Sequence, residues 1–507
     1  MLWAPFVLAL LLCLGAPMGW GRVVKLLLLK TTDIHARLDH SNELESGGGW
    51  LRLATLIRRQ RNAFGADRTL LIDCGDTCQG TLEAIVSQGE VAPRILTALD
   101  YDVWVPGNHE LDFGVQRLTE LCDMSRDMVL CGNLKLKREG TWTEYRAWRT
   151  FERSGARIAV IGANASYLEN WLWGEKMKGF EVEPAFRMLS RIMPTVLRTR
   201  PDMIVLAIHQ GWLEADGRGV NEINAIVRRF PEIDLILGGH THRMRPGAKL
   251  GPKTWYVQAG KHAGHVAVVR AKLDTVQHAV VDIRSVLESA GPEVPIDGVA
   301  EWAVQDIAMV ARGKGVRLAG HVATAVSAEG WPGEDCETSE LLCQALAFAT
   351  QADVVLHGRL SQAALSSGQV LEKDLVRLVP YENSIALAEL TPAELREIIE
   401  EQWQKRESYA YNGVWGMDVT IRRDGTVGYI SCPGKPNAGR LLVALNSYAV
   451  ASAGGRFPRL KAILNRPDAK LCDTGINSRD ALRQFFEEHS PVKVKARRWL
   501  RREGAER

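Results

Sequence analysis

Five times in the first half of this chain, a short apolar run ends directly in a cluster of His, Asp, Asn and Gly. Val23–Leu29 leads to Asp33-Ile34-His35, and Leu70–Ile72 leads to Asp73-Cys74-Gly75-Asp76. Val103–Val105 leads to Gly107-Asn108-His109-Glu110 and then Asp112. Ile204–Ile208 leads to His209, and Leu235–Leu237 leads to Gly238-Gly239-His240-Thr241-His242. Amphipathic stretches such as Trp50–Arg61 and Val91–Leu99 lie between these runs, and the alternation predicts an α/β fold. Ligands of α/β folds bind outside the carboxyl ends of the strands, so five clusters at equivalent positions can converge on one pocket.

The residue types in these clusters suit a metal pair. Imidazole and carboxylate bind Mn, Zn, Fe or similar ions, and no Cys is required. Asp33 and His35 are two residues apart, so an extended chain would point both side chains the same way, and His240 and His242 repeat that spacing. Asp76 offers two carboxylate oxygens and can bridge two cations. Two ions roughly 3.5–4 Å apart clamp the attacking and leaving oxygens of a phosphoryl transfer. Gly75, Gly107, Gly238 and Gly239 allow the tight turns that would bring short side chains to the ions. His109 and Asp112 are three apart and touch if a helical turn starts there; the Asp would then favour the imidazolium form of the His. Taken singly, a His reads as a buried core residue and an Asp as a turn cap, so the combination carries the argument.

The length of 507 residues predicts two or three domains. Lys+Arg 63 against Asp+Glu 60 leaves a net charge of +3, which argues against a partner that is a nucleic-acid polymer but not against a site for small anions. Phe6–Leu14 reads as the apolar core of a secretory signal over residues 1–21, although no Lys or Arg precedes it. Pro17 and neighbouring glycines shorten the apolar span below the roughly 20 residues of a membrane helix, so the expectation is a cleaved signal, no stable membrane span and an exported chain, periplasmic or extracellular. Eight of the nine cysteines remain once Cys13 leaves. Cys74 with Cys78, and Cys122 with Cys131, are close enough to pair, with buried free thiols as the alternative.

The metal-bearing domain is expected over 22–290 and a linker helix over 291–315, with Val299–Arg312 helical and Gly313-Lys314-Gly315 breaking it. A second domain over 316–490 carries helices at Ser339–Thr350 and Thr391–Gln404. Its strands are expected at Asp353–Leu356 and around Val414–Arg422 and Leu441–Tyr448. A basic tail over 491–507 reads as a solvated end, with contact to an anionic surface as the alternative.

The ordered set D-x-H, G-D, G-N-H-E, H, G-H-x-H resembles the calcineurin-like metallophosphoesterases. The stretches Lys30–His35, Asp73–Gly80 and Gly107–Gly114 are similar to the 5′-nucleotidase / UDP-sugar hydrolase / 2′,3′-cyclic phosphodiesterase family. The resemblance implies an α/β protein: a four-layer metallophosphoesterase β-sandwich flanked by helices, with a second α+β substrate-binding domain. It implies that Asp33, His35, Asp76 and His242 hold one divalent ion, and Asp76, Asn108, His209 and His240 the other. His109 would stabilise the transition state or assist the leaving group, with Asp112 orienting it, during in-line attack of metal-activated water on phosphorus. The implied substrate is a small phosphorylated molecule, a nucleotide first. A 2′,3′-cyclic nucleotide, a UDP-sugar or another phosphate or sulfur ester is the alternative. All the metal positions and the His109/Asp112 pair are intact, which argues against a non-catalytic binding protein.

The second domain departs from the family pattern. Tyr381-Glu382-Asn383 matches a Phe-x-Asn segment, with Tyr keeping a stacking face. Arg359 follows Leu356-His357-Gly358 at an unusual spacing for the phosphate-binding Arg. Arg456 follows Gly454-Gly455 where an Asp is usual, and Val450 stands where a second aromatic is usual, with Tyr448 two residues earlier. Tyr381, Asn383, Arg359, Tyr448 and Arg456 are therefore the expected substrate contacts, and the family implies a domain rotation hinged near Val299–Gly315.

Overall fold

The computed structural model describes residues 23–39, 48–138, 140–214 and 219–504; the expected signal segment 1–21 lies outside the described residues. The run Val23–Thr31, apolar on both faces from Leu26 to Leu29, becomes the central strand of a five-stranded sheet. Parallel pairing sets Leu27 to Thr31 level with Thr69 to Asp73, and Ile72-Asp73 level with Val103-Trp104. The first three strands therefore end at the same edge. On the other side come the antiparallel strands His265–Asp274 and Ala279–Ser289. A second, six-stranded sheet runs in the order Met244–Lys249, Trp255–Ala259, Leu235–Leu237, Met203–Ile208, Ala156–Ala163, Trp148–Arg153.

The two sheets pack face to face. Leu26, Leu28, Leu70, Ile72 and Val103 share one core with Ile158, Val160, Val205, Leu235 and Leu237. The alternate residues point outward, as the two-residue period of a strand requires. Leu27, Leu29, Leu71 and Trp104 pack beneath the helices Trp50–Phe64, Val91–Ala98 and Val115–Met124. Ile204, Leu206, Ile208 and Ile236 pack beneath Ala185–Arg198 and Ile223–Arg229. The result is the four-layer α/β sandwich. Each fully buried Leu or Ile contributes about 1.5–3 kcal/mol, so the strand ends that carry the polar clusters are held from both sides.

The second half is α+β around a four-stranded sheet ordered Val354–Leu356, Leu441–Asn446, Ser384–Leu390, Cys472–Asn477. Helix Pro392–Trp403 starts at a capping box: Glu394 N donates to Thr391 Oγ1 (3.2 Å), and Thr391 N donates to Glu394 Oε2 (2.9 Å). The strand expected through Tyr448 stops at Asn446, whose Oδ1 accepts from Ala449 N (2.8 Å) and caps a short helix, Ser447–Val450. Among the described residues no helix is long and apolar enough to cross a membrane.

Three further expectations are changed or decided by the structure. The linker helix runs from Gly298 to Gly315 and does not break at Gly313. Gly315 is buried where the two halves of the chain meet: a Cβ there would lie 3.0 Å from Leu82 Cδ1 and 3.5 Å from Lys373 Cβ, so close packing explains the glycine. The basic tail is not a free end. Leu500–Arg502 pairs in parallel with Asp418–Ile421, Trp499 and Leu500 are buried, and Arg497 and Arg502 bond Asp418 and Glu334. The eight described cysteines are free thiols, all buried except Cys472, so neither suggested pairing forms.

Candidate active site

The polar clusters meet at the shared strand edge, but not through extended backbone. Asp33, His35, Asp76, His240 and His242 have φ of 51°, 54°, 57°, 71° and 57°. Left-handed turns, not the alternation of a strand, turn the two Asp/His and His/His pairs inward. Such a conformation in a non-glycine residue costs on the order of 1–3 kcal/mol and persists where its surroundings over-determine it. Here Gly75 O accepts from Asp33 N (2.8 Å), Asp76 O from His35 N (2.9 Å), and both Asp33 oxygens accept from His240 N (3.0 Å).

Two groups of ligand atoms result, each with all members within 4.8 Å of one another: Asp33, His35, Asp76 and His242, and Asp76, His209 and His240. Asp76 belongs to both. Asn108, beside them in sequence with His109, is buried, and its Oδ1 makes no hydrogen bond. His35 Nδ1 donates to Gln79 O (3.0 Å) and His209 Nδ1 to Cys74 O (2.6 Å), which leaves each Nε2 lone pair facing the cluster. His209 Nε2 is 3.0 Å from Asp76 Oδ2 but out of line for a hydrogen bond, and buried His240 Nδ1 has no hydrogen-bond partner. Burial and neighbouring imidazoles hold His35 and His240 well below the ordinary histidine range and His242 at about 3. Burial opposes charge on His209, but Asp76 outweighs it and raises that imidazole to about 10, so a cation bound there would take the place of the Nε2 proton. Neutral imidazole lone pairs, buried carboxylates and an orphaned amide oxygen are the donor set that two divalent cations satisfy.

The His109/Asp112 pair sits beside this cluster on the turn His109–Leu111. His109 Nδ1 lies 2.7 Å from Asp112 Oδ2, and His109 N donates to Asp76 Oδ1 (2.9 Å). Burial works against the imidazolium, but Asp112 and Asp76 raise His109 to about 9. Two residues with no assigned role in the sequence reading complete the arrangement. Glu110 is fully buried and accepts from the backbone N–H groups of Asp76, Thr77, Cys78 and Gly107, tying together the two loops that carry Asp76 and Asn108. Lys176 Nζ donates to Asp112 Oδ1 (3.0 Å) and to Glu382 O (2.9 Å), linking the pair to the second half. Glu110 was visible as the fourth letter of G-N-H-E; nothing local marks Lys176.

Family models match both halves: calcineurin-like phosphoesterase over residues 27–244, and 5′-nucleotidase, C-terminal domain, over residues 318–462. The chain belongs to the 5′-nucleotidase family of calcineurin-like phosphoesterases. It is 23% identical to protein UshA of Yersinia enterocolitica, covering 96% of each chain. It is also 23% identical to a 5′-nucleotidase of Vibrio cholerae, covering 97% of this chain and 96% of that one. The fold matches a putative 5′-nucleotidase from Staphylococcus aureus with a TM-score of 0.78 at 18% identity, covering 94% of this chain and 100% of that one. The protein is thus a metal-dependent phosphoester hydrolase, and calcineurin-like phosphoesterases use two divalent metals.

In this 5′-nucleotidase-family protein, a cleft of about 1030 Å³ opens from the Asp/His cluster between the two halves, and all five expected substrate contacts line it. They do not form two opposed aromatic faces. The Tyr381 ring stacks on His109, with centroids 4.8 Å apart at 28°, and meets His35 edge-on at 5.0 Å. Asn383 turns inward: its Nδ2 donates to Tyr381 O (3.0 Å), and its Oδ1 accepts from Ser447 Oγ (3.3 Å). Arg359 Nη1 donates to the carbonyls of Ala328 and Gly330, which anchors one arm of the guanidinium on the backbone. Arg456 Nη1 donates to Tyr448 OH (3.3 Å) and Ala453 O (2.6 Å), and the guanidinium sits 4.7 Å from the ring of Tyr409. Tyr409, absent from the sequence reading, has its OH 3.1 Å from Tyr448 OH. Trp171 packs edge-on against His240 at 4.5 Å, and Gly454 N donates to Asn170 O (2.7 Å), so the Gly454-Gly455 turn meets the loop over the Asp/His cluster.

Proposed function

We propose that this chain is an exported hydrolase that releases phosphate from nucleotides with two bound divalent cations. The observation that carries the reading is Asp76: it belongs to both ligand groups and also accepts the backbone N–H of His109. Asp33, His35, Asp76 and His242 would hold one cation; Asp76, Asn108, His209 and His240 would hold the other. When bound, the cations supply Lewis acidity and lower the pKa of water.

The remaining work falls to side chains of this protein. Asp112 orients His109 through Nδ1 and keeps the ring protonated. His109 Nε2 gives a proton to the leaving ester oxygen and places positive charge where negative charge develops. Lys176 fixes Asp112 while gripping the backbone of Glu382. Tyr381 packs on His109 and excludes water from one ring face. The unit over 22–290 performs the reaction, and the unit over 316–490 selects the substrate about a hinge in the linker helix. The apolar run Phe6–Leu14 supports export.

A second reading, hydrolysis of UDP-sugars, 2′,3′-cyclic nucleotides or another phosphate or sulfur ester, is favoured by the engaged Arg359 and by Tyr381 stacking on His109 rather than opposite Tyr448. The test is a chelator-reversible assay with added Mn²⁺ on an aryl phosphate, then on nucleoside monophosphates, cyclic nucleotides and UDP-sugars. A higher kcat/KM for the monophosphates is expected. The reverse order selects the second reading, and no turnover by fully metal-loaded protein rejects both.

A further inference from the structure

The linker helix Gly298–Gly315 is apolar on two opposite sides. Ala300, Val304, Ile307, Ala311 and Gly315 are buried on the inner side. On the outer side Val299, Trp302, Met309, Val310 and Val316, just past the last turn, are 54%, 71%, 65%, 61% and 63% exposed. At 3.6 residues per turn these five fall in one stripe about 120° wide. Asp306 also lies in the stripe, but its two oxygens are taken by Arg94 Nη1 at 2.8 and 2.9 Å. A surface helix ordinarily carries polar residues opposite its buried face, and a contiguous exposed patch that includes Trp marks an interaction site.

We infer that this stripe is a self-association surface on which the linker helix pairs antiparallel with the same helix of a second copy. The flanking charges identify the occupant. Glu301 near the start and Arg312 near the end, where Arg312 and Val316 also reach the rim of the cleft, lie on the same flank of the stripe, and neither side chain bonds another described residue. A two-fold axis at the helix midpoint, between Asp306 and Ile307, sets Glu301 of each copy opposite Arg312 of the other and lays Trp302 against Met309 and Val310. The helix dipoles then run in opposite directions, which is also favourable. A uniformly anionic lipid surface would attract Arg312, Lys314 and Arg317 but repel Glu301; a second, inverted copy complements both ends. The seam is only about 27 Å long, shorter than a standard interface requires, so the dimer dissociates on dilution.

Sedimentation equilibrium of the full chain over a concentration series tests this. Wild type is expected to follow a monomer–dimer equilibrium. Trp302→Glu should raise the dissociation constant by about thirtyfold or more, with circular dichroism and metal content unchanged. Glu301→Arg and Arg312→Glu should each weaken the dimer roughly fivefold, and the double variant should restore it. A wild type that stays monomeric, whether free or bound to phosphatidylglycerol vesicles, overturns the inference. So does a dimer indifferent to Trp302→Glu, and a double charge swap that fails to restore association overturns the antiparallel register.

Discussion

Replacing Glu110 by glutamine should loosen the metal site without removing a single ligand. The carboxylate is fully buried. Oε1 accepts from Thr77 N (2.6 Å) and Cys78 N (2.9 Å), while Oε2 accepts from Asp76 N (2.9 Å) and Gly107 N. Burial and the Asp76 charge push this carboxyl up, and the backbone donors pull it back toward the ionised form. Glutamine has the same shape, but either orientation of its amide turns an NH₂ group toward two N–H donors. Two hydrogen bonds to a charged acceptor are lost at roughly 1.5–3 kcal/mol each, about 3–6 kcal/mol in total. All four donors belong to the loops that carry Asp76 and Asn108, so the loss falls on ligand geometry. Expressed wholly as ion affinity, it is a factor of roughly 10² to 10⁴. Competitive chelator titration of Mn²⁺ or Zn²⁺, paired with thermal unfolding of the ion-free protein, reads both components. Wild-type affinity together with a wild-type unfolding temperature would refute this account of Glu110.

Lys176→Met should lower kcat on an aryl phosphate by about tenfold to a hundredfold with metal content unchanged, because Asp112 loses one charged hydrogen bond. Lys176→Arg should recover much of the rate, and a wild-type kcat in the methionine variant would remove Lys176 from the network. Gly107→Ala should cost metal and activity while leaving the fold intact: its Cβ would overlap the Asp76 carboxylate and approach His209 Cε1 to 2.9 Å, and the surroundings are buried ligands that cannot yield. Retained metal would contradict that. His357 is fully buried, and burial lowers its imidazole to about 4. It stays neutral in the fold while the unfolded chain takes up a proton below about pH 6.5, so its contribution to stability is complete above that pH and declines as pH falls toward about 4. The decline is about 3 kcal/mol, and it should be absent from the pH dependence of denaturant unfolding in His357→Gln. Parallel pH profiles for the two proteins would count against it.

The parts of the site that were legible in the sequence are those whose signal is local. Each apolar run ends in its own ligand, and parallel pairing of Leu27–Thr31 with Thr69–Asp73 brings separate clusters to one edge without long-range information in either segment. His109 and Asp112 are legible for the same reason, being one turn apart. The backbone route is not legible: spacing alone suggests an extended Asp33-Ile34-His35, whereas hydrogen bonds accepted by the Gly75 and Asp76 carbonyls hold left-handed turns. Lys176 reaches Asp112 and Glu382 across sequence separations of 64 and 206, which no local pattern encodes. The second domain was read less well because side chains such as Arg359 and Asn383 have near neighbours to bond before any substrate. Gly313 and Gly315 read as a helix end; the helix runs on through Gly313 and stops at Gly315, which also packs closely against Leu82.

The central claim is that Asp76 joins two cation sites while His109 acts beside them. Metal content per chain, measured by elemental analysis alongside turnover of an aryl phosphate, tests it most directly. Wild type should carry two divalent ions. Asp76→Asn should lose occupancy at both positions, and His109→Ala should keep both ions while turnover falls by about a hundredfold or more. A wild type that saturates with a single ion, or equal metal loss in the two variants, would contradict the account.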